Sequence, residues 1–160
     1  MLRLKKEHIE NLMDFAFGIK MLGVKHMDFK AFDRSKLDEY ARQAKELYGN
    51  LPEYKEMEEK QKNRTEEEER LLADRFMLLF KEAGKMKDTD PASPESQNLV
   101  KRIQDYITEN MYTCSNKILR GLGKMYSGGG DFTKNIDEYG GEGTAVFVDN
   151  AIQIYCDHAE

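Results

Sequence analysis

The chain has 160 residues, of which 39% are hydrophobic and 34% charged, with a formal net charge of −5. That length suits one domain with a real core, or one domain plus an appendage, and leaves two full domains cramped. The acidic balance excludes a chain that grips nucleic acid unaided, because phosphate binding needs a concentrated basic face, and no apolar run approaches the ~18 residues of a membrane span.

A mean hydropathy of −0.76 fits a helical protein with much exposed surface. Only three prolines occur and β-branched alternation is scarce, so the fold class is all-α. The opening MLRLKKEHIENL lacks the apolar core of a signal peptide, and the chain reads as cytoplasmic. Cys114 and Cys156 cannot make a disulfide framework and are expected reduced.

Leu2, Ile9, Leu12, Ala16 and Ile19 recur in steps of seven, three, four and three, with Lys5 at one seam position. That spacing is a coiled-coil seam over residues 1–23, and it equally suits an amphipathic helix packed on its own domain. About two to three heptads do not hold a coil alone, so the helix is expected to continue upstream or lean on something, as in the tail of a longer chain. Gly23 offers a stop, and residues 24–34 form a connector carrying Phe29 and Phe32.

Residues 35–49 begin with Ser35 three positions before Asp38 and end at Gly49, a compact helix with Leu37, Tyr40, Ala41, Ala44, Leu47 and Tyr48 on its apolar face. The stretch 52–62 opens with Pro52 and offers only Tyr54 and Met57 for burial. It is helical by propensity, weakly anchored, and expected to be the most mobile part. Thr65 and Glu68 form a capping box at the head of a long helix with Leu71, Leu72, Phe76, Leu79, Phe80 and Ala83 on its core stripe. The Glu66 to Glu69 run points around that helix rather than converging on a metal.

Ser93 and Pro94 cap and start the next helix, whose face is Leu99, Val100, Ile103, Tyr106 and Ile107. The pattern bends around Asn110, and a further helix carries Met111, Tyr112, Cys114, Ile118, Leu119, Leu122, Met125 and Tyr126, ended by Gly128, Gly129 and Gly130. Asp131 to Tyr139 gives a short helix or turn with Phe132 and Ile136. Gly140, Gly141 and Gly143 then lead into a closing helix to about Cys156, with Ala145, Val148, Ala151, Ile152 and Tyr155 inward and Phe147 flanking.

The triple glycine lacks the lysine and hydroxyl residue of a P-loop and reads as helix punctuation. Cys114 has no base nearby in sequence, and His8, His26 and His158 share no metal-ligand spacing, so neither an enzyme nor a metal or other cofactor is expected. The aromatic and methionine side chains around Tyr106 to Tyr155 either fill an ordinary core or line an amphipathic pocket, since both uses draw on large apolar area and tyrosine's polar tip.

The order of SPESQ at Ser93, YITENMYTC ending at Cys114, GLGKMY at Gly121 to Tyr126, DFT at Asp131 to Thr133 and GEGTAVFVDNAIQIY at Gly141 to Tyr155 resembles the TipAS family. These are drug-recognition domains attached to some MerR-type transcriptional regulators. The resemblance covers the chain from about Phe29. It implies a globin-like helical domain, over residues 35–160, that binds a bulky amphipathic antibiotic such as a thiopeptide. Its first helices are often loosely ordered until ligand arrives.

The N-terminal stripe then resembles the end of the helix through which MerR-type regulators form antiparallel dimers, with Leu2, Ile9, Leu12, Ala16 and Ile19 as the seam. DNA would be reached only through a winged-helix part that this chain lacks. The implied pocket is lined by Tyr106, Asn110, Cys114, Met125, Tyr126, Phe132 and Phe147. Before Phe132 the chain has Gly129, Gly130 and Asp131 where the family carries an acid and an arginine. A stand-alone protein that sequesters a drug without binding DNA is the alternative expectation.

Overall fold

The structure, a computed structural model, describes residues 49–159 together with Arg42 and Glu46. The dimer seam from Leu2 to Ile19, the connector 24–34 and most of the predicted 35–49 helix lie outside the described residues. Arg42 and Glu46 have helical backbone. Six helices follow: α1 Pro52–Gln61, α2 Glu66–Lys85, α3 Pro94–Asn110, α4 Asn116–Tyr126, α5 Asp131–Gly140 and α6 Thr144–His158. All regular structure among the described residues is helical, as composition indicates.

Local chemistry sets the helix starts. Thr65 Oγ1 accepts the Glu68 N–H at 3.1 Å while the Glu68 carboxylate accepts the Thr65 N–H at 3.3 Å, so two orphan donors of α2 are satisfied reciprocally. Ser93 accepts the Ser96 N–H at 3.2 Å, with Pro94 at the first turn where its missing donor costs nothing. Ser115 does the same for α4 through the Ile118 N–H.

α4 packs on α6, α2 on α5, and α3 on both α2 and α6. Phe80, Ile103 and Ile152 are fully enclosed in the core between them, each burial stabilising the fold by about 1.5–3 kcal/mol. The α2–α5 contact depends on Gly84 and Gly140. A Cβ on Gly84 would overlap the backbone of Gly140, and one on Gly140 would reach the Phe80 carbonyl at 2.8 Å. Two helices approach this closely only where neither carries a side chain.

Three expectations need correction. Leu71 is 43% exposed, because the buried face of α2 is Ala73, Phe76, Met77, Phe80 and Ala83. Leu71 lies nine residues before Phe80, about half a turn around the helix, beside the equally outward Leu78.

Second, Met111, Tyr112 and Cys114 belong to no helix. α3 ends with the Met111 and Tyr112 N–H groups both bonding the Ile107 carbonyl, and residues 111–115 form a connector in which Met111, Tyr112 and Cys114 are buried. Third, Phe147, expected to flank α6, is buried in it, and α6 runs on to His158. α1 buries the two residues its sequence offers, Tyr54 and Met57, at 8% and 4% exposure.

Candidate ligand-binding site

Three of the predicted residues gather at the C-terminal end of α3. Tyr106 stacks on Phe76 of α2 with ring centroids 5.5 Å apart, and its hydroxyl donates to the Leu72 carbonyl at 2.5 Å. Burial pushes its phenol above the ordinary value, opposed more weakly by Arg75 and Arg64. One turn on, the Asn110 amide donates to the Tyr106 carbonyl at 3.0 Å. Cys114 follows in the connector, its N–H held by Thr108 Oγ1 at 3.1 Å and its carbonyl by the Gln104 amide at 2.9 Å.

The other four lie on three helices that pack on one another. Met125 and Tyr126 end α4, Phe132 opens α5, and Phe147 sits in the first turn of α6. Tyr126 meets Phe80 edge to face at 5.3 Å, and Phe80 meets Phe76 in the same way at 5.2 Å. An aromatic spine, Tyr106 to Phe76 to Phe80 to Tyr126, therefore joins the two groups of predicted residues across α2. Phe76 and Phe80 read in sequence as plain core. Their spacing of four on one helix face was the available signal, but not which tyrosines they would meet.

Tyr126, Phe132, Phe147 and Cys114 are buried, whereas Tyr106, Asn110 and Met125 are half-buried. α1 is bonded to the end of α3 and to the connector. The Glu56 carboxylate accepts both the Thr113 N–H and, at 3.0 Å, the Thr113 hydroxyl, while Lys60 Nζ donates to the Thr108 carbonyl at 2.6 Å. Sequence gave no sign of these four partners, because polar pairs across 48 and 57 residues leave no periodic trace.

An open groove of about 430 Å³ on the α2–α3 face, lined by Glu82, Met86, Pro94, Glu95, Asn98 and Arg102, holds none of the predicted residues. The Arg102 guanidinium bonds both Glu82 oxygens there, at 2.5 and 3.0 Å, and holds that carboxyl below its usual range. That groove is open to solvent and lies apart from the predicted residues. Among the described residues no group of three His, Cys, Asp or Glu side chains is placed to hold a metal ion. No described helix is long and apolar enough to cross a membrane.

These features place the described chain in the class of all-α, globin-like domains. It belongs to the TipAS antibiotic-recognition domain family, whose profile matches residues 40–155. The resemblance carried by the motifs from Ser93 to Tyr155 is borne out, and so is the fold it implied. Among curated relatives, the HTH-type transcriptional activator mta of Bacillus subtilis (strain 168) is 34% identical over 125 residues, 76% of this chain and 46% of the relative.

The HTH-type transcriptional activator TipA of Streptomyces coelicolor (strain ATCC BAA-471 / A3(2) / M145) is 28% identical over 131 residues, covering 78% and 49%. The chain thus spans about half the length of the curated relatives it matches. A solved structure of TipAS from Streptomyces lividans, in complex with nosiheptide and described as part of a thiopeptide antibiotic multidrug resistance system, shares the fold. Its TM-score is 0.65 at 24% identity, over 85% of this chain and 96% of that one.

Proposed function

We propose that this chain is the effector-binding, drug-sensing part of a MerR-type transcriptional regulator, and that it recognises a bulky amphipathic antibiotic-like molecule such as a thiopeptide. The observation that carries the reading is the family match over residues 40–155. Relatives that are transcriptional activators favour a regulator over a drug-sequestering protein. Catalysis has no part in the proposal, since recognition alone does the work.

The ligand is received at the accessible edge formed by Tyr106, Asn110 and Met125, over a floor of Cys114, Tyr126, Phe132 and Phe147. Tyrosine and methionine suit this task by combining large apolar area with a polar tip or an adaptable thioether. α1 is bonded to Thr108 and Thr113, which flank Asn110 in sequence, so a ligand that binds there acts on α1 and through it on the residues that precede it. Residues 1–23 form the dimer helix, 24–34 the connector and 35–160 the ligand-binding domain. The homodimer forms through Leu2, Ile9, Leu12, Ala16 and Ile19, and DNA is contacted by a part of the regulator other than residues 1–160.

A ligand drives such a regulator only through differential affinity for its two states. Inverting a 1:99 population takes a preference of about 10⁴-fold. Titration with thiopeptides and other planar amphiphiles, followed by tyrosine fluorescence and helicity, is expected to give a saturable change. A flat response across a broad panel would sink the sensor reading. For the dimer, changing Ile9 and Ile19 to charged residues is expected to yield a monomer in sedimentation, and a persistent dimer would refute the seam.

A further inference from the structure

The connector 111–115 carries one candidate contact residue, Cys114, and is held from three sides. α1 grips it through Glu56 on Thr113, α3 through Thr108 and Gln104 on Cys114, and α6 through the Cys156 thiol, which donates to the Asn116 carbonyl at 3.4 Å just beyond the connector. One side chain ties these together. The Gln104 amide nitrogen donates to the Cys114 carbonyl at 2.9 Å and to Asn116 Oδ1 at 2.8 Å, while its oxygen accepts the Tyr155 hydroxyl at 2.9 Å.

The orientation of that amide follows from its partners. A backbone carbonyl only accepts, so the nitrogen of Gln104 must face Cys114, and its oxygen is left for the phenol of Tyr155. Both amide hydrogens are then used. A half-buried group with every donor engaged on three separate elements fixes their relative positions, and removing it strands two acceptors and a hydroxyl.

We infer that Gln104 is a positioning residue of the ligand site: it holds the Cys114 backbone in its shielded pose and ties the α1-clasped connector to α6. Ordinary core packing does not account for this role, since Gln104 contributes polar bonds to a segment with no helical ladder of its own. The inference rests on the reading of Cys114 as part of the ligand-facing floor, although its test requires no ligand. A displaced connector exposes Cys114, whereas Cys156, seated on the packed helix α6, serves as an internal reference.

The experiment is peptide-resolved alkylation of the full native chain with iodoacetamide, comparing the wild type with Gln104→Leu and Tyr155→Phe. Three lost hydrogen bonds are expected to speed alkylation at Cys114 at least about tenfold in Gln104→Leu, with Cys156 changing by less than about threefold. Tyr155→Phe removes one hydroxyl and is expected to move Cys114 in the same direction by about two- to fivefold. If Gln104→Leu does not fold, the Tyr155→Phe comparison decides.

An unchanged Cys114 rate, or a parallel rise at both cysteines, overturns the inference. Binding of nosiheptide, measured alongside, separates the two claims. Its absence from the wild type would count against the ligand reading while the alkylation result still stands.

Discussion

Replacing Gly84 by alanine sets two effects of opposite sign against each other. Alanine in the last turn of α2 gains at most about 0.5–1 kcal/mol over glycine from backbone entropy alone. Against that, the added methyl group meets the carbonyl oxygen, Cα and carbonyl carbon of Gly140, all of them backbone atoms with no rotamer to swing away. α2 and α5 must therefore separate, which disturbs the neighbouring Phe80 and Ile136, both fully buried.

Overpacking of this kind costs about 1–3 kcal/mol and more when backbone moves, so the net loss is expected near 2 kcal/mol. For a chain of this size that lowers the melting temperature by about 4–8 °C. Thermal melts by circular dichroism check it, with Leu78→Ala as a control. Leu78 is 56% exposed, and its truncation is expected to change stability by less than about 0.5 kcal/mol. An alanine variant as stable as the wild type would refute the close helix crossing, and with it the placement of α5.

Glu56→Ala removes the acceptor for both Thr113 donors and is expected to accelerate amide exchange in residues 52–61 while leaving α6 unchanged, as read by hydrogen–deuterium exchange mass spectrometry. Equal exchange in α1 would show that Tyr54 and Met57 anchor it without the clasp. The phenols of Tyr54, Tyr106 and Tyr139 are all pushed up by burial, so the folded state holds their protons more tightly than the unfolded one. Their contribution is complete below the ordinary phenol value of 10.0 and is lost as pH rises through the folded values. Denaturant titrations from pH 8 upward are expected to show stability falling above about pH 10, less steeply in Tyr106→Phe, and an identical slope in that variant would contradict the burial argument.

What the sequence made legible was chiefly local. The Thr65–Glu68 box and the Ser93–Pro94 start involve residues within one turn, and both occur where the spacing puts them. The connector 111–115 was not legible, because Met111, Tyr112 and Ile118 continue an apolar rhythm that reads as helix. What breaks the helix there is a set of side-chain bonds from Thr108 and Gln104, which periodicity does not register.

α1 looked weakly held for the same reason. Its two buried apolar residues are supplemented by Glu56 and Lys60, whose partners lie 57 and 48 residues away. For the site, residue types were informative and their assembly was not. Tyr106 and Tyr126 stood out as amphipathic aromatics, but the two α2 phenylalanines that join them are ordinary members of a core stripe until the helices are packed.

Hydrogen–deuterium exchange of the full chain with and without saturating nosiheptide tests the central claim most directly. Binding at the proposed edge is expected to slow exchange in residues 106–114 and in α1, with little change at the exposed Glu82–Arg102 groove. Protection confined to that groove, or saturable binding that leaves residues 106–114 and α1 unprotected, would contradict the account.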